Sequence, residues 1–330
     1  MTSSVPIISM VLSANTLKED VWKAWENDPE NANIIYAYAL KAAIAECSSS
    51  ADKPKKSNIF FVCRTSGNVD FVLACMDGPL GPYPVFIYTS PSVSLDTIRS
   101  GFESLVTMMI DQRLQKRVFA VFSAEAITKC FVQVWTDRTG IKPVEKPYYE
   151  ALLSTCEKPQ DQEPKTKTPD GKKPASHNIR PATEKDIETV GRLCEIFAKD
   201  SAPYTLDDTR AAQEATYLVK ESKLWILEAN VDGDSPQIAC IVAVTRDTPS
   251  VSAITKVFTD PDWQQRGYAA LLVHRVCKEL LSIEKKKSIV LYVGHKLEYA
   301  RKVYSKVGFN DVSRWLEVGF DREKVTLGYW

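Results

Sequence analysis

The sequence predicts an α/β protein with mixed (α+β) sheets, laid out as two successive units of similar order. Three observations predict this. Strand-like and helix-like patterns alternate through both halves of the 330 residues. A charged stretch with four prolines and no large apolar residue, residues 157–176, separates the halves. In the second half a strand runs into a helix through a turn that carries Gly267.

The elements follow in order. In the first half, residues 32–47 read as a helix. Ile59-Phe-Phe-Val-Cys63 and Phe71-Val-Leu-Ala-Cys75 read as a hairpin. Next come a strand between Pro84 and Pro91, a helix over 95–112, a strand at Arg117-Val-Phe-Ala-Val-Phe122, and a helix closing at Gly140. Residues 157–176 bury nothing and are expected to form an exposed, mobile linker. Beyond it, His177-Asn-Ile-Arg-Pro-Ala-Thr183 reads as a strand, with Thr183 and Asp186 placed to cap the helix that follows to about Lys199. A second helix covers 207–221, then strands cover 224–229 and 238–245, joined through Asp232-Gly233-Asp234.

The most informative stretch is the strand 252–259, the turn Gln264-x-x-Gly267-x-Ala269 and the helix after it. Ala269, Leu272, Val273, Val276, Cys277 and Leu280 form one apolar stripe on that helix. The junction leaves amides unpaired at a helix start, which suits a phosphate or pyrophosphate, and Arg266 adds a charged donor. Read alone, it is equally an ordinary strand-turn-helix. The strand Ser288-Ile-Val-Leu-Tyr-Val293 and a helix over 297–307 come next, with Leu297, Ala300, Val303, Tyr304 and Val307 inward and Gly308 as the stop.

In order and spacing, the turn motif followed by Ala300-x-x-x-Tyr304-x-x-x-Gly308-Phe309 resembles the acyl-CoA-binding core of the GNAT superfamily of N-acetyltransferases. The resemblance covers roughly residues 179–330. It implies the GNAT fold and acetyl-CoA as the cofactor, with transfer to a small-molecule amine. The first half repeats the layout: Pro91 answers to Pro261 and Gly140 to Gly308 at near-constant separation. It has no glycine at the turn, and Asp96 stands where a phosphate would lie. The expected division is therefore 1–156 as a degenerate GNAT-like unit without the cofactor motif, 157–176 as linker, and 177–330 as the catalytic unit. An unrelated α+β domain is the other reading of the first half.

By resemblance, the strands 252–259 and 288–293 splay, and pantetheine pairs with the first of them. Val257, Phe258 and Thr259 would hold it, and the pyrophosphate would rest on the run Gln264, Gln265, Arg266, Gly267, Tyr268 and Ala269. Tyr304 matches the family's tyrosine that protonates the departing thiolate; taken alone, it is a core aromatic on a helix stripe. Leu297 stands where the family usually has asparagine. The strand before the loop offers no carboxylate as general base. Glu228, His295, the C-terminal carboxylate of Trp330 and a water relay all stay open. Phe197 and Tyr204, with Asp200, Trp315, Tyr329 and Trp330, fall where acceptor pockets of this superfamily lie, or else close the core.

Composition limits the alternatives. Lys plus Arg and Asp plus Glu number 42 each, so nothing draws the chain to nucleic acid or an anionic membrane. No apolar run is long enough to span a bilayer, and the first residues lack a basic signal-type region. The eight cysteines are scattered without a C-x-x-C pair and the three histidines are dispersed. They fit a reduced cytoplasmic protein with no metal site. Two further functions stay open: an acyl-CoA-binding protein without catalysis, and transfer of a longer acyl chain or to a hydroxyl.

Overall fold

The computed structural model describes residues 5–48, 58–167, 176–220, 223–230 and 235–329. The chain divides into two compact units, Met1–Ala151 with Ser313–Trp330, and Leu152–Val312.

The first unit starts with β1 (Ile7–Val11), α1 (Glu19–Asn27) and α2 (Pro29–Ser48). The helix α2 begins earlier than the apolar pattern indicated because Pro29 fits the first helical position, where no amide partner is needed. The hairpin β2 (Ile59–Thr65) and β3 (Asn68–Cys75) turns through Ser66 and Gly67, both at positive φ, the geometry that matches the strand twist. Then come β4 (Val85–Thr89), α3 (Leu95–Asp111), β5 (Ala120–Ala124), α4 (Glu125–Thr139) and β6 (Tyr149–Cys156). The order of pairing is β1-β2-β3-β4-β5, antiparallel except for a short parallel match of β4 and β5 at Val85↔Val121 and Phe86↔Phe122. Under α3 and α4 lies a core rich in rings, including Phe71, Phe102, Phe131 and Trp135.

The second unit runs β7 (His177–Pro181), α5 (Ile187–Lys199), α6 (Asp208–Lys220), β8 (Lys223–Ala229), β9 (Gln237–Asp247), β10 (Val251–Thr259), α7 (Tyr268–Lys278), β11 (Ser288–Gly294), α8 (Glu298–Val307) and β12 (Asn310–Gly319). Element for element, this repeats the succession of the first unit. Its strands pair as β7-β8-β9-β10, all antiparallel, and β10 then meets β11 in parallel. Ile254, Ile289, Leu291 and Val293 pack beneath Leu271, Leu272 and Val276 of α7. The opposite face receives α5 and α6. The Asp186 carboxylate accepts the Thr183 amide at 2.7 Å, closing the expected cap. The turn at Asp232-Gly233-Asp234 lies outside the described residues.

Two expectations are corrected here. The compact units do not break at 156 and 177: Leu152 and Cys156 pack in the second unit's core, while Leu316, Val318 and Phe320 pack in the first. The end of β12, Trp315 to Gly319, pairs antiparallel with β5 of the first unit. Apolar patterning shows that a segment is a strand but not which strand it will pair with. The linker is also less free than its composition implied. The Gln160 amide donates to the Val307 carbonyl at 2.8 Å, and the Gln160 carbonyl lies 2.8 Å from Nε2 of the buried His274. Backbone groups make these bonds, so a polar sequence does not preclude them.

Candidate active site

The parallel ladder between β10 and β11 is short. It ends at Ile254↔Leu291, while β10 continues against β9 to Thr259↔Cys240. Residues 255–259 therefore run on without a partner on the β11 side, and the sheet opens into a gap. The register of β10 against β9 slips between Ala253 and Ile254 and again between Ile254 and Lys256. Such bulges bend a strand and increase its local twist, which parts it from a neighbour.

From the end of β10 the chain passes into a 3-10 turn at Pro261–Trp263. Asp260 fixes this turn: its carboxylate accepts from the Asp262 amide at 3.0 Å and pairs with Arg192. The Gln264 side chain donates to the Thr259 carbonyl at 3.3 Å, tying the loop to the strand. Gln265 and Gly267 both have positive φ, 62° and 84°. Gly267 is the N-cap of α7 and supplies no side-chain cap. Among the described residues, no hydrogen bond leaves the amides of residues 265–270. A helix start with unpaired donors is an anion site by geometry and by dipole.

The first unit offers a contrast at the matching place. There Ser94 caps α3, its hydroxyl accepting from the Thr97 amide at 3.2 Å, and Asp96 stands in the first turn. That helix start has one amide already capped by a side chain and carries the wrong charge for a phosphate.

The Arg266 side chain lies over Trp263, 4.6 Å from the ring, and its Nη2 donates to the Asp262 carbonyl at 2.9 Å. Its Nη1 is buried without a partner, leaving one guanidinium donor unused beside the free amides. A Cβ on Gly267 would meet the Lys165 carbonyl oxygen at 2.9 Å, and the Lys167 amide donates to the Arg266 carbonyl at 2.9 Å. Residues 165–167 thus lie along one side of the loop, and glycine is required there for two reasons, conformation and room.

Tyr304 projects from α8 into the same space. Its ring meets Phe309 edge-on at 5.8 Å, and its hydroxyl has no hydrogen bond among the described residues. Burial, with the neighbouring Cys240, raises its pKa well above the ordinary tyrosine value, so the phenol keeps its proton throughout the physiological range. One cavity of about 210 Å³ is lined by Val257, Phe258, Thr259, the run 264–270, Trp263, Tyr299, Ala300, Val303 and Tyr304. It unites every residue expected to hold the cofactor with the expected proton donor. Trp263 and Tyr299 were not anticipated, since aromatics flanking a turn or opening a helix carry no distinctive spacing. Leu297 is 59 % exposed and lies outside the cavity lining.

The expected acceptor residues lie elsewhere. Phe197 on α5 reaches Phe258 at 5.8 Å between ring centroids, without lining the cavity. Tyr204 is buried after α5 and does not line it either. Asp200 is exposed at the end of α5. Trp315 and Tyr329 belong to the first unit, where Trp315 packs on Phe122 and the Tyr329 amide donates to Pro82. Trp330 lies outside the described residues.

The candidate bases are likewise engaged or remote. Glu228 is held by Arg180 at 2.5 Å, which keeps its carboxyl below the usual glutamate range. His295 sits near Asp311. No carboxylate or imidazole lines the cavity. One carboxylate was missed: Glu214 of α6, whose two oxygens each lie 3.0 Å from Nζ of Lys256. Lys256 is buried on β10 and its ammonium also lies 4.7 Å from the Phe197 ring centroid. A lysine in an apolar strand would signal this pair only through its need for an anion. Cys240 and Cys277 are poor nucleophiles here. Burial pushes the Cys240 thiol up to about 12 and raises Cys277 well above its ordinary value.

With this geometry in hand, three comparisons bear on the chain. The model of the acetyltransferase (GNAT) family matches residues 191–309. No curated protein sequence matches. Among solved structures, the chain is similar to a tandem GNAT protein from the clavulanic acid biosynthesis pathway, with 14 % identity and a TM-score of 0.55, covering 94 % of this chain and 98 % of that one. A Drosophila protein from a structural genomics effort has 12 % identity and a TM-score of 0.60, with 96 % and 98 % covered. A GCN5-related N-acetyltransferase from Sphaerobacter thermophilus has 13 % identity and a TM-score of 0.54, with 94 % of both chains covered. Identities this low speak for the fold.

Proposed function

We propose that the chain is a tandem member of the GNAT superfamily of acetyltransferases, whose family model matches residues 191–309, and that it transfers an acetyl group from acetyl-CoA to a small amine by direct attack. The observation that carries this reading is the single cavity that joins unpaired loop amides, an opened pair of strands and the Tyr304 phenol. Acetyl-CoA would supply the activated thioester. The residues present fit it: the loop amides and the Arg266 donor that have no partner among the described residues suit a diphosphate, and the gap suits an extended arm.

In this reading, main-chain groups of Val257, Phe258 and Thr259 orient the arm, and an amide near Val257 stabilises charge on the carbonyl oxygen. Tyr304, kept protonated by burial, gives its proton to the leaving sulfur. The acceptor would approach from the side of Phe197, whose ring meets the cavity-lining Phe258. The amine, with a pKa of about 10, loses its proton through water, since no acid or imidazole group faces the cavity.

That last observation also favours a second reading, in which the protein binds acyl-CoA without turnover. One experiment separates the two. Thermal stabilisation by acetyl-CoA, CoA and longer acyl-CoAs is measured, and a panel of amines is then assayed by release of free thiol. Ligand at 100 times its Kd adds about 2.7 kcal/mol to stability. Stabilisation with amine-dependent thiol release is the expected result; stabilisation with no release on any amine would select the binding protein. Selective response to long acyl chains, or to alcohols, would move the assignment within the acyltransferases.

A further inference from the structure

Two cations are buried among the described residues, and they are treated very differently by their surroundings. Lys256 has the Glu214 carboxylate at 3.0 Å. Arg246 is 2 % exposed, yet its Nε and Nη1 are sealed from solvent without a hydrogen-bond partner among the described residues. Its contact is the ring of Tyr292, 5.1 Å from the guanidinium carbon. A charge withdrawn from water and left without an anion is unfavourable, and native structures rarely keep one without a use for it.

The placement of Arg246 indicates what it is for. It stands opposite Ala253 on β10. Ile289, Leu291 and Val293 point into the core under α7, so Val290 and Tyr292 face the other side of β11. To reach Tyr292 the Arg246 side chain passes across β10 at Ala253, a residue small enough to let it by. Tyr292 is the first residue of β11 beyond the last paired position, Leu291. The guanidinium therefore lies beside the last rungs of the β10–β11 ladder, on the sheet face that also carries Lys256 with Phe197 and Glu214.

We infer that Arg246 is the anchor for a carboxylate on the acceptor, so that the amine acetylated here is an amino acid or another amine bearing a carboxylate. This rests on the acetyltransferase reading for the word acceptor; the anion site itself stands on Arg246 alone. A guanidinium presents charged N–H donors that suit carboxylate oxygens, and Nε and Nη1 of Arg246 are each left without a partner among the described residues. The Tyr292 ring braces the guanidinium plane, as aromatic faces do for arginine.

The test uses the full chain and matched pairs of compounds: glycine with methylamine, β-alanine with ethylamine, and phenylalanine with phenethylamine. Binding is read by calorimetry in the presence of CoA, and turnover by thiol release from acetyl-CoA. The carboxylate-bearing member of at least one pair should be preferred, and Arg246→Met should abolish that preference with a loss of about 30-fold or more. Arg246→Lys should restore part of it. Arg246→Met should melt no lower than the wild type, because it removes an uncompensated buried charge. A variant that melts lower and leaves the preference unmoved would mark a structural arginine and overturn the inference.

Other outcomes are equally decisive. If acetyl-CoA binds but each amine equals its amino acid, the anchor is wrong while the acetyltransferase reading stands. If amino acids bind through Arg246 but acetyl-CoA does not bind, the anchor stands and that reading falls. If Arg246→Met weakens succinyl-CoA and leaves amino acids untouched, the carboxylate belongs to the acyl group, and the acceptor assignment is overturned.

Discussion

Replacing Gly267 by alanine tests the loop at the point where the structure leaves least tolerance. The residue has φ of +84°, and any Cβ would stand 2.9 Å from the Lys165 carbonyl oxygen. The left-handed conformation alone costs an L-residue about 1–2 kcal/mol. The contact also forces either the loop or the linker backbone to shift, because neither side is a flexible side chain. A total of about 2 kcal/mol is a fair expectation. If the loop relaxes by turning its amides, that energy appears in ligand binding, where it equals a loss of about 30-fold. If the loop holds its shape, it appears in stability, as a drop of about 4–8 °C for a unit of this size. Calorimetric titration with CoA, beside thermal melts of the same samples, separates the two. Gly267→Asn should be milder, since asparagine visits the left-handed region more readily. Affinity for CoA within twofold of wild type in Gly267→Ala, with the melting temperature also unchanged, would refute the view that the loop is held in this shape at Gly267.

Three further outcomes follow from the same geometry. Tyr304→Phe should lower kcat by about 100-fold with little change in CoA affinity. Because burial raises the phenol pKa, wild-type kcat should show no alkaline decline from this group below pH 9; equal losses in affinity and turnover would mark a packing residue instead. Glu214→Gln leaves Lys256 buried without its anion and should cost about 3–5 kcal/mol in urea unfolding, whereas Glu214→Leu combined with Lys256→Met should recover most of that. Arg180 holds the Asp186 carboxyl down to about 2, below its unfolded range, so its contribution is complete near neutral pH and is lost as pH falls through that value. A loss on the order of 2 kcal/mol between pH 5 and pH 2 should be absent in Asp186→Asn.

What the sequence revealed and what it hid have physical reasons. The loop was legible because Gly267 and the apolar stripe after it are local features, set by residues a few positions apart. Tyr304 was legible for the same reason, through its spacing from Ala300 and Gly308. The unit to which the ends of β6 and β12 belong was not, since both read as strands whichever partner they take. Glu214 and Lys256 lie far apart in sequence, and the slips in register at Ile254 blur the strand period that would have marked the lysine as inward. Arg246 sits among polar residues at the end of β9, where a charged side chain is ordinarily solvated; only the fold shows that it crosses Ala253 and is buried. The hold of Gln160 on Val307 and His274 was hidden because it uses backbone groups of Gln160, which composition does not display.

The structure of the protein crystallised with CoA tests the central claim most directly. The claim predicts diphosphate oxygens within about 2.7–3.2 Å of amides in the run 265–270, with the pantetheine arm entering between β10 and β11 toward Tyr304. A CoA molecule bound with its diphosphate away from that run, or with its arm outside the gap, would contradict it.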